Sequence, residues 1–497
     1  MQQLDPSDRE KLNVVDSFIA QSSRQDADLL PVLRVCSAEC EKNVLAQVHF
    51  RLSGALRIAV DSFLRSSQDA ISAELLHLIG SAIDNQPLSI RSAEEFGLLT
   101  ALTRVIHSST ADSSIRAEGL KVLRRCCSPV APTNTRASIF RNPVFLETFC
   151  SEVNETSTPS PNAPNIGFLA EYLAFLKEMV FSEYGRVTAE GISSFVPSLS
   201  NILTMKELLT LWDTSVEVLV GCSQIGRLKA QFIAPLSNGQ TPVSLLLNIV
   251  RLGSDASCNC LAILFNLTVD SDDTVRNLIA MEGGLEIAVS ALNHPSGETY
   301  SLRCLQLLSR ISTTKEVQAQ LLQTHYYSLI CQGIRDSCGD VHSDGNSSNK
   351  EICGYLVNTL ACLNNPPPDC RKVAGELGLV RNILKIFPEP RQELGVITPE
   401  SVIQVPKESV PVIMLGNAAR CLMPYADDAA SNKDIYLDRT LRGIEKLVCA
   451  MATISDIRVR KNIAILLAKG CRMPVVRERV SELRGIQMMV ELQDYLL

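Results

Sequence analysis

Short stretches with the three-and-four spacing of apolar helix faces alternate along the chain with breaks at glycine, proline and small polar residues. One unit recurs: a polar approach, a small residue or glycine, an amphipathic helix, a short break, then a second and more apolar helix. Its clearest copy opens at residues 281–292, MEGGLEIAVSAL. Relatives stand near 52 (LSGALRIAVDSFL), 96 (EFGLLTALTRVI), 189 (AEGISSFVPSLSNIL), 376 (ELGLVRNILKIF), 440 (TLRGIEKLVCAM) and 482 (ELRGIQMMVEL), with weaker copies near 143, 237 and 327. The marker glycine or its equivalent falls at about 54, 97, 143, 191, 238, 284, 327, 378, 443 and 485. The spacing is roughly 42 to 51 residues, with one interval of about 65.

Glycine at this place follows one short helix and lets the chain turn sharply into the next without a Cβ clash. In the copy around Gly284 the pattern predicts a first helix over Thr274–Met281, a second over Leu285–Leu292, a break at Asn293–Gly297 and a third over Ser301–Ile311. The period is that of armadillo and HEAT units, and three helices per unit favour armadillo. The expected fold is all-α: an armadillo/HEAT-like right-handed superhelical solenoid of about nine or ten repeats. Residues 1–25 read as a polar N-terminal segment and 26–497 as the array, with loop insertions near 128–138, 156–165, 338–350 and 388–411. In the third of these, Asp340, Asp344, Gly345 and Asn346 lack the ligand alternation and closing glutamate of an EF-hand, so a solvated loop is expected.

Composition agrees with packed helices. Of 497 residues 46% are hydrophobic and only 5% aromatic, which disfavours a β-sandwich as well as a disordered chain. A formal charge of −7 gives no global attraction to nucleic acid. The first ten residues carry Asp5, Asp8 and Glu10 and lack the layout of a secretory or transit peptide. Apolar stretches such as Pro242–Leu252 fall short of the roughly 20 residues needed to span a bilayer, so a cytoplasmic protein is expected. The 17 cysteines sit mostly inside apolar helical patterns, as at Cys258, Cys260, Cys304 and Cys449, and read as reduced, buried small hydrophobes. Without a signal peptide, the glycosylation patterns at Asn154, Asn266 and Asn346 are chance matches.

Residues 258–289, CNCLAILFNLTVDSDDTVRNLIAMEGGLEIAV, resemble the armadillo repeat, in which an Ala-x-Leu-x-Asn-Leu helix precedes a Gly-Gly-Leu helix; Ala262, Leu264, Asn266, Leu267, Gly283 and Gly284 carry the match. With LGNAARCL, NIAILLAKGC and SELRGIQMM of residues 415–489, this stretch also resembles the armadillo half of the tetratricopeptide repeat protein 12 family. Those are cytoplasmic factors of axonemal dynein arm assembly. The resemblance implies client proteins as partners, among them dynein heavy chains and assembly chaperones, with a role in cilium assembly. Residues 1–50 are too short to hold that family's tetratricopeptide repeats, so chaperone-tail binding by such repeats does not carry over.

In armadillo proteins the third helices line a groove where an asparagine can hydrogen-bond the backbone of an extended peptide, and Asn266 matches that position. The same register places Gly80, Arg125, Glu178, Gly221, Arg310, Cys362, Pro424 and Lys469 at equivalent points, so no asparagine ladder emerges there. Ala262 stands where import receptors carry tryptophan, and Trp212, the single tryptophan, lies elsewhere and is expected to pack within its own repeat. Arg125 and Arg310 present planar forks suited to carboxylates. Between Asp456 and Arg484, eight basic residues (Arg458, Arg460, Lys461, Lys469, Arg472, Arg477, Arg479 and Arg484) face three acidic ones, a local charge of +5 that leaves about −12 on the rest. Such a distribution steers acidic protein partners toward the C-terminal end.

No enzyme motif emerges. There is no His-Glu-x-x-His, phosphate-cradling loop or dinucleotide fingerprint. The Cys36/Cys40 and Cys258/Cys260 spacings are not those of zinc ribbons. Gly221-Cys-Ser-Gln-Ile-Gly226 has its second glycine one residue too late for a nucleophile elbow. A protein-binding scaffold without catalytic residues, metal or cofactor is therefore expected. The alternative is an armadillo-type adaptor or regulator, such as a small-GTPase exchange factor or a myosin-type co-chaperone.

Overall fold

A computed structural model describes residues 6–22, 29–66, 68–108, 110–156, 165–293, 297–340, 347–390, 411–428 and 431–492, and every element among them is a helix. They fall in two compact units, Met1–Leu245 and Leu246–Leu497. In the first, the third helices α1 (Leu30–Lys42), α2 (Asp69–Ile83), α3 (Ser113–Cys126), α4 (Ile166–Val180) and α5 (Trp212–Ser223) form a row in which each packs on the next. In the second, α6 (Ser257–Thr268), α7 (Glu298–Ile311), α8 (Ser347–Cys362), α9 (Val412–Leu422) and α10 (Ile457–Gly470) form another. A third helix is enclosed by neighbours in the row and by the shorter helices of its own repeat, so it must be apolar over most of its circumference. The run Leu78, Ile79, Gly80, Ser81, Ala82 and Ile83 in α2, all buried, shows this.

The core of the first unit gathers aromatic rings around α4. Phe175 packs 5.4 Å from Phe145, 6.1 Å from Phe140 and 6.4 Å from Tyr172, measured between ring centroids. Tyr172 is fully buried, and its hydroxyl donates to the Phe145 carbonyl at 2.7 Å, which satisfies the polar tip that burial would otherwise strand. The His107 ring lies tilted 5.5 Å from Phe145 and its Nδ1 meets the Thr148 hydroxyl, while Nε2 is buried without a partner. Burial, with Arg116 nearby, holds this imidazole below its ordinary value of 6.5. The unfolded chain takes up this proton as pH falls below about 6.5 while the folded chain resists it. Stability is therefore expected to drop between neutral and mildly acidic pH. Melting curves at about pH 7 and 5.5 should show it, and His107→Gln should flatten that slope.

The repeat boundaries follow the glycine pattern with refinements. Gly54, Gly97 and Gly378 take the left-handed conformation and open the helices Ala55–Arg65, Leu98–His107 and Leu379–Leu384. At three other repeats the turn is made one residue earlier, by Gly283, Arg442 and Arg484. Gly284, Gly443 and Gly485 are required there for space: a Cβ would press on the carbonyls of Ile279 and Ile435 and on the Val480 side chain respectively. Near Gly284 the first helix is Asp273–Ile279, a π turn carries Ala280–Gly284, and the second and third helices are Leu285–Asn293 and Glu298–Ile311.

Two stretches depart from the expected boundaries. Within residues 1–25, Pro6–Ser22 is a helix that packs on α1, because Val15 and Phe18 fall on one face and are buried; the Phe18 ring stacks 5.7 Å from Phe50. Within 128–138, a turn leads at Thr133 into a helix ending at Phe140, whose Thr135, Ala137, Ile139 and Phe140 are buried under its polar exterior. The other three insertions fall largely on 157–164, 341–346 and 391–410, outside the described residues, as do Asp344, Gly345 and Asn346.

All 17 cysteines are free thiols, 14 of them buried and Cys258, Cys362 and Cys471 half-buried. Burial pushes Cys126 and Cys304 up to about 12, so these sulfurs are packing groups rather than nucleophiles.

Candidate functional site

The two rows of third helices present different chemistry. In the first unit successive helices are bridged by ion pairs, Arg34 to Glu74 at 2.8 Å, Arg124 to Glu171 and Glu178 at 3.2 Å each, and Lys177 to Glu217 at 2.8 Å, and by the His77 ring set between Glu41 and Glu118. In the second unit the bridges are largely neutral. Gln306 of α7 donates to the Tyr355 hydroxyl of α8 at 3.2 Å. Asn417 of α9 donates to the Asn358 carboxamide of α8 at 3.0 Å, and Asn462 of α10 donates to the Gly416 carbonyl at 3.3 Å. An amide row thus exists on α8, α9 and α10, upstream of the positions that the Asn266 register pointed to. Its sequence signal was an asparagine early in the third helix, seen in LGNAARCL and KNIAILL.

The residues singled out from sequence scatter over several surfaces. Asn266 is half-buried on α6. Arg310 is exposed on α7, its guanidinium 5.4 Å from the centroid of the Phe265 ring, so the two helices meet through a cation–π contact. Trp212 is half-buried at the start of α5. The C-terminal basic residues do not form one patch. Arg458, Arg460 and Lys461 lie at the start of α10, and Lys469 and Arg472 lie at and just beyond its end.

That far end is half neutralised: the single carboxylate of Asp427 pairs with Lys469 at 2.6 Å and with Arg472 at 3.2 Å. Lys469 also donates to the Met423 carbonyl. The Lys469 hydrogen bond holds the Asp427 carboxyl below its ordinary range. Arg479 bridges Glu445 and Glu482 at 2.9 Å each, and Arg460 lies 3.8 Å from Glu491. The steering charge inferred from the sequence is accordingly smaller than a count of basic residues suggests.

Arg125 has the most developed surroundings. It lines a cavity of about 760 Å³ in the first unit together with Asp84, Lys121, Arg124, Ser128, Arg136, Phe140, Glu171, Glu178 and Phe181. Gly80 of α2 leaves the notch that seats the Arg125 guanidinium, because a Cβ there would overlap Nη1. Arg125 and Glu178, placed in one register by sequence, do share a site. Arg136 was missed, since its short helix reads as a loop until its buried face is seen.

The described residues contain no group of His, Cys, Asp and Glu able to hold a metal, and no helix among them is long and apolar enough to cross a membrane. The chain is an all-α, armadillo-like solenoid. No family model matches it, and no curated protein does. Solved structures do match. One is an engineered protein, with a TM-score of 0.62 at 15% identity, covering 92% of this chain and 98% of that one. Another comes from work on a phosphorylation switch controlling the interaction between cadherin and beta-catenin, with a TM-score of 0.67 at 14% identity, covering 96% and 87%. At such identities the likeness is one of fold.

Proposed function

We propose that the protein is a non-catalytic scaffold that holds extended segments of partner proteins along its third-helix rows. The amide row Asn358, Asn417 and Asn462 carries this reading. Each carboxamide has two donors and two acceptor lone pairs, more than these contacts use, and the remainder suits the N–H and C=O groups of a peptide backbone. A solenoid adds long exposed faces at little structural cost, since each repeat is stabilised by its neighbours. The resemblance of residues 415–489 to the tetratricopeptide repeat protein 12 family extends the proposal to cytoplasmic clients of axonemal dynein arm assembly, namely dynein heavy chains and their chaperones.

Affinity purification from ciliated cells with mass spectrometry tests both levels, comparing the intact chain, a chain lacking residues 440–497, and the double variant Asn358→Ala, Asn417→Ala. Recovery of dynein chains from the intact protein, lost in both variants, is the expected result. A reproducible but different client set removes the dynein assignment and keeps the scaffold. Recovery of no partner by the intact chain removes both.

A further inference from the structure

The cavity beside Arg125 combines three features that belong together. First, its cations outnumber its anions, with Lys121, Arg124, Arg125 and Arg136 set against Asp84, Glu171 and Glu178. Arg124 is committed to Glu171 and Glu178, and Lys121 to Glu118 at 3.0 Å. Arg125 Nη1, Arg136 Nε and Ser128 Oγ are buried and have no hydrogen-bond partner. Neither arginine side chain forms an ion pair among the described residues.

Second, the excess is seated rather than floppy. Arg125 rests in the notch left by Gly80, and Arg136 projects from a helix anchored by Thr135, Ala137, Ile139 and Phe140. A guanidinium fixed in advance loses little freedom on binding. Third, the wall includes Phe181, 45% exposed at the end of α4, beside buried Phe140, which gives apolar contact to the stem of a bound side chain.

Arg125 and Arg136 are half-buried and line the cavity, so the guanidinium donors not pressed into the protein can pair with acceptors that a ligand brings. The group that supplies several acceptors to converging guanidiniums is a carboxylate. We propose that this cavity binds an acidic side chain in an extended segment of a partner protein, with Arg125 and Arg136 as the recognising pair. The proposal rests on the scaffold reading and adds the chemistry of one subsite.

The test is fluorescence anisotropy of the full chain with a labelled oligoglutamate peptide and its oligoglutamine counterpart. Oligoglutamate is expected to bind and oligoglutamine not to. The double variant Arg125→Gln, Arg136→Gln should weaken oligoglutamate binding about tenfold or more, an effect typical of removing desolvated charge pairs. Gly80→Ala keeps every charge but unseats the guanidinium, and should weaken binding severalfold; it carries the test if the double variant does not fold. Arg57→Gln with Arg91→Gln, two exposed arginines outside the cavity, should leave binding unchanged.

Absence of oligoglutamate binding overturns the proposal, as does binding that survives the cavity substitutions or is lost in the control pair. A phosphoserine peptide that binds where oligoglutamate does not overturns the carboxylate assignment as well. If cellular partners are recovered equally by wild type and the cavity variant, the subsite falls while the scaffold stands. If wild type recovers no partner, the scaffold reading falls.

Discussion

Replacing Phe175 with alanine should destabilise the first unit by about 3–5 kcal/mol, the cost of emptying a fully buried aromatic position whose surroundings cannot collapse. Phe175 is completely inaccessible and sits among Phe140, Phe145 and Tyr172, three rings supplied by three helices, so no single helix can shift to close the void. Phe140 also forms part of the wall behind Arg136. The loss should therefore appear as a lower urea midpoint for the first unit and as weaker oligoglutamate binding under conditions where the variant remains folded. Phe175→Leu keeps most of the volume and should cost less than half as much. Equal losses for the two variants would mean that ring packing is not what holds α4.

Gly443→Ala should be the most damaging single methyl added to the second unit. The new Cβ would overlap the Ile435 carbonyl oxygen, with the Leu384 side chain 3.4 Å away on another side. A backbone oxygen in a packed helix cannot swing aside as a side-chain tip can, so the helices Ser431–Tyr436 and Gly443–Thr453 must separate. Overpacking of this kind costs about 1–3 kcal/mol or more. Gly375 is an internal control of opposite sign. It lies inside the helix Pro368–Glu376 with nothing within 4 Å of a built Cβ, and Gly375→Ala should stabilise by about 0.5–1 kcal/mol through helix propensity alone. Thermal melts of the two variants should move in opposite directions. If both shift the same way, the contact at Ile435 does not govern the turn.

Helix type and repeat period were legible because both rest on apolar spacing, which the chain carries openly. The third-helix register was legible to within about a turn, close enough to put Arg125 and Glu178 together. What escaped depends on partners far along the chain. Residues 1–25 look polar until Val15 and Phe18 are seen buried, and Arg136 sits on a helix whose Pro and Ser neighbours mimic a loop. Arg442 and Arg484 occupy left-handed turns where glycine is the usual choice, so the pattern pointed one residue too late. The amide row was missed because Asn266 drew attention to one position near the end of the third helix, whereas Asn358, Asn417 and Asn462 stand one to two turns before the positions that register gives on their helices. The basic tally near the C-terminus misled for a plainer reason: Asp427, Glu445 and Glu491, which pair with Lys469, Arg472, Arg479 and Arg460, all lie outside the window counted.

In the first unit, α1 to α5 pack as a file, each chiefly on the one before and after it, and this sets how the unit breathes. A structure with a shared centre opens all at once; a file frays from its ends, and the free energy of opening rises toward the middle. Backbone amides of α3 and α4 should consequently exchange with deuterium far more slowly than those of α1. The seat of Arg125 then lies in the part of the unit that opens least, where a ligand meets a site already in shape.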